Sequence, residues 1–196
     1  MKKFFAVAAL AAVAVFGSNV KANAEDYNRV GLSYEMEMMN QKHGSDVNFN
    51  GFGVSYIHGF GLSSSTPIYL ETGLKYMAGW GSKNDVDYSI MNFNIPVNVA
   101  YKFNFSDDTM SLVPYLGLNF KVNALAKAKI GGHSQNLFKD VNEGGIDANV
   151  FQMGWHVGLG YNYKMIYVGA EFGTDFIKFA DNVHTMNLGV TVGYNF

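Results

Sequence analysis

Cysteine is absent from this chain of 196 residues, and proline occurs only three times. Without cysteine, the chain has no disulfide framework and no zinc or redox site built on thiolates. Charged residues are also scarce, at 15% of the chain, whereas glycine (22), phenylalanine (16) and tyrosine (12) are abundant. A soluble helical protein needs charged faces, so this composition argues against that class.

The first 24 residues have the three parts of a secretory signal peptide. Two lysines precede an uncharged apolar run over 4–16, and the Ala-Asn-Ala sequence at 22–24 has the form of a cleavage site. The apolar run is shorter than the roughly 20 residues that span a bilayer, which argues against an uncleaved anchor. We therefore expect cleavage near Ala24, a mature domain over 25–196, and a location outside the cytoplasm.

Several classes of site and partner are excluded by what the mature region lacks. It has no apolar stretch of about 18 residues, so it contains no transmembrane helix. Its 11 basic and 16 acidic residues give no reason to expect nucleic acid as a partner. Asp140, Glu143 and Asp147 are too sparse for a calcium loop, and no glycine pair completes a dinucleotide motif. We expect neither a metal nor a cofactor.

Eight segments of the mature region alternate bulky apolar side chains with glycine or polar ones. Because successive side chains of a strand point to opposite faces, each segment predicts a strand with one apolar face and one small or polar face. The alternation slips around Met91 and Asn92, which predicts a bulge there. The predicted strands cover 27–38, 51–60, 68–80, 93–103, 112–122, 151–163, 166–176 and 184–196.

The composition of the two faces decides which one is inside. In a soluble eight-stranded barrel the apolar face would fill the interior, but here it is too bulky for that space, and the other face is too rich in glycine to be a good solvated surface. Reversing the faces puts the apolar side chains against lipid. The sequence therefore predicts an all-β fold: an antiparallel up-and-down transmembrane β-barrel of eight strands with a polar, small-residue lumen.

Connection lengths and aromatic residues agree with this orientation. The even-numbered strands are followed by short connections, which are expected on the periplasmic side, and the others by longer outer loops. Aromatic residues cluster at strand ends, as they do at membrane interfaces. The predicted short connections are 61–66, 104–110 and 164–165, and the predicted outer loops are 39–50, 81–87, 124–150 and 177–183.

These features resemble a known family. The segments IPVNVAYKF (95–103), VPYLGLNF (113–120) and GYNF (193–196) are similar to those of the small outer-membrane β-barrels often called porin-like, akin to OmpA and OmpX. The resemblance implies a Gram-negative outer membrane, contact with its lipids and lipopolysaccharide, and a monomeric barrel. It also implies that Tyr194 and Phe196 form the signal read by the barrel-assembly machinery. The chain stops there, so no peptidoglycan-binding domain of the OmpA kind is expected.

Charged residues on the inward face form the main candidate site. They are nearly balanced, which predicts ion pairs, and Lys75 lies at mid-height, where two or three carboxylates could hold it. We expect the network to be a structural plug, so that the resting barrel conducts little or nothing. The predicted lumen charges are Arg29, Glu35, Glu37, Glu71, Lys75, Lys102, Lys121, Glu171 and Asp175.

Three functions stay open at this point: a structural or adhesive surface protein, a narrow channel for small solutes, and a lipid-modifying enzyme. We expect no enzyme, because no set of serine, histidine and acidic residues converges. The long outer loop over 124–150 is either a variable surface segment or a cap and contact for an extracellular ligand, with Phe138 as its anchor.

Overall fold

The computed structural model describes residues 25–41, 46–63, 66–105, 109–138, 148–180 and 183–196, and the predicted signal peptide lies outside them. Within these ranges the regular structure is entirely β. No helix there is long and apolar enough to cross a membrane. The strands are β1 (Tyr27–Gln41), β2 (Val47–Gly61), β3 (Ile68–Lys83), β4 (Val86–Tyr101), β5 (Phe103–Phe105), β6 (Met110–Ile130), β7 (His133–Asn136), β8 (Phe151–Tyr163), β9 (Ile166–Asp175) and β10 (Val183–Asn195).

Eight long strands form a closed antiparallel barrel, which confirms the predicted fold. Each pairs with the next long strand along the chain, including β4 with β6 and β6 with β8, and the pairing of β1 with β10 closes the ring. At the last rung, Asn28 and Phe196 exchange two backbone hydrogen bonds of 2.9 Å. The short strand β5 prolongs β4 beside β6, and β7 forms a hairpin with the outer end of β6.

The strands are strongly tilted. A path of directly paired residues that starts at Tyr69 on β3 and crosses every strand returns to β3 at Gly79, ten residues further along. A stagger of this size in an eight-stranded barrel requires a tilt of about 40° and leaves an interior that side chains can fill. Side chains that face each other across the lumen therefore come from distant positions in the sequence.

The two faces are divided as predicted. Outward apolar side chains are exposed on the barrel surface, for example Leu32 at 68% and Val192 at 59%, while the residues between them are buried. A fully exposed apolar band is unfavourable in water and is the expected exterior of a barrel in lipid. The predicted bulge is also present, as a shift in the β4–β6 register between Met91 and Asn92.

The strands extend further outward than predicted, so the expected outer loops 39–50, 81–87 and 124–150 were too long. The connection between β3 and β4 is a two-residue turn at Asn84 and Asp85, both with positive φ, which suits a hairpin. The prediction failed because the polarity of the faces inverts above the membrane. There the outward residues are polar, such as Asn48, Asp87 and Lys127, and the inward ones are apolar.

These inward apolar residues form a cluster at the outer end of the barrel, which we call the apolar cap. It combines the strand ends with the segments around 137, 148 and 180, and its aromatic rings are packed edge to face, Phe49 on Tyr88 at 6.1 Å between centroids. This part of the barrel is built like a soluble one, with the apolar side chains inside. The buried members of the cap are Met39, Phe49, Ile90, Ala126, Ala128, Leu137, Ala148, Phe179 and Ala180.

Candidate functional site: the barrel lumen

Below the apolar cap, the lumen contains three layers of buried ion pairs. In the lower layer, nearest the periplasmic end, Arg29 pairs with Glu71 at 3.2 Å. The Tyr27 hydroxyl also donates to Glu71, and the Arg29 guanidinium lies 3.9 Å from the centroid of the Tyr167 ring. Glu71 is fully buried and accepts a further hydrogen bond from the Asn98 amide at 3.3 Å. Every charge in this layer has a partner, as burial requires.

The middle layer is centred on Lys75. Its ammonium group contacts Glu35 at 2.9 Å and also pairs with Glu171. The Tyr115 hydroxyl donates to Glu171 at 3.2 Å, and the Asn187 amide donates to Glu35 at 3.2 Å. Lys75 is thus held by two carboxylates, within the expected number.

The upper layer is centred on Lys121, whose exposed fraction is only 1%. Its ammonium group lies 2.9 Å from Asp175 and 3.3 Å from Glu37. The Gln152 amide donates to Asp175 at 3.1 Å and to Thr185 at 3.1 Å. The three layers together contain five carboxylates and three cations, so the lumen carries an excess of acidic groups, which the amide and hydroxyl donors help to stabilise.

Lys102 does not join these layers, contrary to the prediction. It is half-buried at the periplasmic mouth, where it lines a cavity of about 80 Å³ with Ser111, Asn162 and Asn195, and it forms no ion pair with the described residues. The reason is its height. Strand β4 ends at Tyr101, so Lys102 lies below the level of the lowest carboxylate pair.

Glycine residues make room for tyrosine rings in the lower lumen. A Cβ atom added at Gly158 would lie 2.1 Å from the Tyr115 ring, and one at Gly160 would lie 2.4 Å from the Tyr167 ring. Such distances are far below van der Waals contact. The rings can therefore lie flat across the inner wall only because these positions have no side chain.

Histidines do not assemble a catalytic set in the described part of the chain. His156 faces the lumen and forms a hydrogen bond of 2.5 Å with the Asn98 side chain, whereas His58 lies on the outer face and contacts Asn28 at 2.8 Å. His184 is exposed on the outer face, as expected. No three histidine or acidic groups of the described residues are placed to hold a metal ion.

Phe138 is not the exposed anchor that the sequence suggested. It is half-buried and packs against the apolar cap, beside the buried Leu137. Leu137 is fixed by a 2.9 Å hydrogen bond from its backbone N–H to the carbonyl of Ala126. The loop residues 139–147 lie outside the described residues. The sequence signal for this packing was the apolar pair of Leu137 and Phe138, of which Phe138 was interpreted as a contact residue of the long outer loop.

The middle of the lumen holds a cavity of about 40 Å³ between the lower and middle ion pairs, lined by Ser33, Tyr115, His156 and Thr191 among others. A cavity of this size has room for a few water molecules. The lumen therefore contains paired charges and small cavities with polar walls.

Comparison with known proteins agrees with this architecture. A family model described as the outer membrane protein beta-barrel domain matches residues 5–196. The chain belongs to this family. The apolar exterior is thus the surface of an outer-membrane β-barrel, and the paired charges occupy the lumen of such a barrel.

Solved structures show the same fold. The barrel is similar to Ail, the attachment invasion locus protein of Yersinia pestis, in complex with the heparin analogue sucrose octasulfate, with 14% identity over 88% of this chain and 99% of that chain and a TM-score of 0.53. It is similar to Neisserial surface protein A, with 17% identity over 87% of this chain and 97% of that chain and a TM-score of 0.51. A search of curated proteins gave no significant match.

Proposed function

We propose that this outer-membrane β-barrel is a closed barrel with a structural or surface-interaction role. The observation that carries the proposal is the lumen itself, in which Arg29, Lys75 and Lys121 are each buried against carboxylates. Breaking one such pair leaves a buried charge, which costs several kcal/mol. A lumen built in this way favours stability over conduction.

Single-channel recording tests the closed state. The purified barrel in a planar bilayer should give no large, stable conductance, and a detergent sample without protein is the blank. A large, stable conductance from the unmodified protein would refute the closed barrel and favour a channel for small solutes, which is the alternative function.

The surface role is supported by the hairpin of β6 and β7, which rises above the membrane. On its outer face Lys127 and Lys129 are exposed on alternate positions of one strand. Two cations spaced in this way can bind the sulfate or phosphate groups of an acidic saccharide. Ail, which shares the fold, was crystallised with a heparin analogue. We therefore infer that the ligand class is an anionic glycan, such as a sulfated host glycan or the phosphorylated core of lipopolysaccharide.

Binding to sucrose octasulfate and to purified lipopolysaccharide separates these two sources. Replacing Lys127 and Lys129 together by alanine should weaken the binding of at least one of them, and its salt dependence should decrease because fewer ions are released. The matched control is Lys164→Ala, which removes an exposed lysine at the opposite end of the barrel. An equal loss of binding in the Lys127 and Lys129 double variant and in Lys164→Ala would mean that binding follows net charge alone.

We infer that the protein is not an enzyme, since His156 is enclosed in the lumen and His58 and His184 lie apart on the outer face. Lipid A isolated from a deletion strain should therefore have an unchanged mass spectrum. A mass difference restored by the wild-type gene would favour the lipid-modifying alternative.

The route to the membrane is part of the same proposal. We infer signal-peptide cleavage near Ala24, recognition of Tyr194 and Phe196 by the barrel-assembly machinery, and a monomeric barrel that contacts lipopolysaccharide. Tyr194 and Phe196 both project outward, with exposed fractions of 44% and 61%, so the aromatic side chains are available to another protein before they meet lipid. Amino-terminal sequencing of the outer-membrane form tests the cleavage, and light scattering in detergent tests the monomer.

A further inference from the structure

We propose that the apolar cap is the seal of the barrel at its outer end, and that it prevents ions on that side from reaching the polar lumen beneath it. The inference rests on the closed barrel proposed above and adds which layer closes its outer end. The ion-pair layers would then stabilise the barrel while the cap excludes ions.

The cap spans the cross-section of the outer end. Met39 of β1, Phe49 of β2 and Ile90 of β4 meet Ala126 of β6 in one buried cluster, and Phe179 from the segment before β10 completes it. Phe49 and Ile90 have exposed fractions of only 5% and 4%. Because the members come from both sides of the barrel, the cluster forms a septum across the lumen and not a patch on one wall.

The septum lies directly above the upper ion pairs. Phe49 is paired with Glu37 in the β1–β2 register, and Met39 follows Glu37 by two residues toward the outer end. A small cavity of about 10 Å³ lies where the septum meets the upper layer, lined by Glu37, Phe49, Ile90 and Asn92 among others. A cavity of this size has room for at most one water molecule. A narrow apolar constriction also repels water and ions by dewetting.

The lumen beneath the septum is more polar. The cavity of about 80 Å³ at the mouth is lined by Lys102, Ser111, Asn162 and Asn195, and the middle cavity of about 40 Å³ is lined mainly by charged and polar groups. A smaller buried cluster that includes Tyr69 and Tyr115 lies toward the periplasmic end. Each cavity has room for several water molecules, whereas the septum is apolar.

The absence of cysteine makes a direct test possible, because any introduced thiol is unique. Three serine-to-cysteine variants change one atom each and sample three heights: Ser134→Cys on the exposed outer hairpin, Ser33→Cys beside the middle cavity, and Ser111→Cys at the mouth. The reagent is the silver ion, which reacts with thiols, does not cross lipid, and is small enough for the middle cavity. Thiols left free are counted after unfolding.

Purified variants are reconstituted in lipid vesicles, and silver is added outside. The reacted fraction of Ser134→Cys gives the share of barrels whose outer end faces the reagent, and that of Ser111→Cys gives the remainder. We expect Ser33→Cys not to react in the barrels whose outer end faces the reagent. Reaction matching that of Ser134→Cys, or reaction in every barrel, would show that the cap does not seal. Reaction limited to the barrels whose periplasmic end faces the reagent, or no reaction in any barrel, agrees with the seal.

Opening the cap provides the second test. Phe49→Ala removes a ring of the cap, and Ser33→Cys should then also react in the barrels whose outer end faces the reagent. Ile90→Ala is a second opening variant. The control is Phe52→Ala on the lipid face of the same strand, where the exposed fraction is 59%, and it should change nothing. Heat-dependent gel mobility verifies folding of each variant. Unchanged reactivity in folded Phe49→Ala and Ile90→Ala would overturn the proposal.

This test can fail independently of the proposed closed barrel. A conducting wild-type protein refutes closure as a whole, whereas a non-conducting protein whose Ser33→Cys variant reacts from the outer side refutes only the role of the cap. Because the cap is the barrier to ions, Lys75→Ala alone should not raise the conductance while the cap is intact.

Discussion

Replacing Lys121 by alanine should cost about 3–5 kcal/mol of unfolding free energy, the usual loss when one partner of a buried ion pair is removed. The ammonium group of Lys121 is the only cation within hydrogen-bond distance of Glu37 and Asp175 among the described residues. Both carboxylates are nearly inaccessible, with exposed fractions of 6% and 5%. Neither can therefore recover the lost interaction from bulk water.

The loss can be measured by urea unfolding in lipid vesicles, followed by tryptophan fluorescence. Both tryptophans, Trp80 and Trp155, lie on the lipid face, so their emission changes when the strands leave the bilayer. The control is Lys127→Ala, six residues further along the same strand but exposed, which should change stability by no more than about 0.5 kcal/mol.

A second variant separates charge from packing. Neutralising Glu37 and Asp175 to glutamine and asparagine in the Lys121→Ala background removes the unpaired charges and should recover part of the loss, because neutral amides are cheaper to bury. A loss below about 1 kcal/mol for Lys121→Ala would refute the reasoning, since it lies within the range of unremarkable substitutions. A triple variant that is less stable than Lys121→Ala would also refute the reasoning.

Three further predictions use the same assays. Gly158→Ala should cost about 1–3 kcal/mol through its clash with Tyr115, and it should cost much less in a Tyr115→Ala background. Lys102→Ala should change stability by less than about 0.5 kcal/mol; a larger loss would place this lysine in the ion-pair network after all. Two charged residues appended after Phe196 should reduce the heat-modifiable, folded form in outer-membrane fractions, and normal insertion would remove the assembly role of the terminal aromatics.

Within the membrane, the alternation of side chains was sufficient to predict which residues face lipid and which face the lumen. Side-chain direction repeats every two residues along a strand, so each side chain faces one of two sides of the barrel wall. The alternation also located the bulge at Met91 and Asn92, where the period slips. The near balance expected of the inward charges does not hold, because without Lys102 the layers contain three cations and five carboxylates, but each of the three cations is paired.

The choice of partners across the lumen was decided by the tertiary structure. Glu71 and Lys75 lie on the same face of the same strand, yet Glu71 pairs with Arg29 while Lys75 pairs with Glu35 and Glu171. Which charges meet depends on the height of each residue in the closed ring, which follows from the ten-residue stagger and not from any single strand. The stagger of the barrel is fixed only when the last strand pairs with the first.

The apolar cap was likewise invisible in the sequence pattern. Phe49 and Ile90 are apolar but occupy inward positions, so the rule that apolar residues face outward fails for them. That rule holds only where the barrel is surrounded by lipid, and the sequence does not mark where the lipid ends. The sequence by itself determined the strands, their faces and the membrane-facing exterior, because these depend on local periodicity. Only the closed barrel decided how the lumen is paired and sealed, because both depend on residues brought together across it.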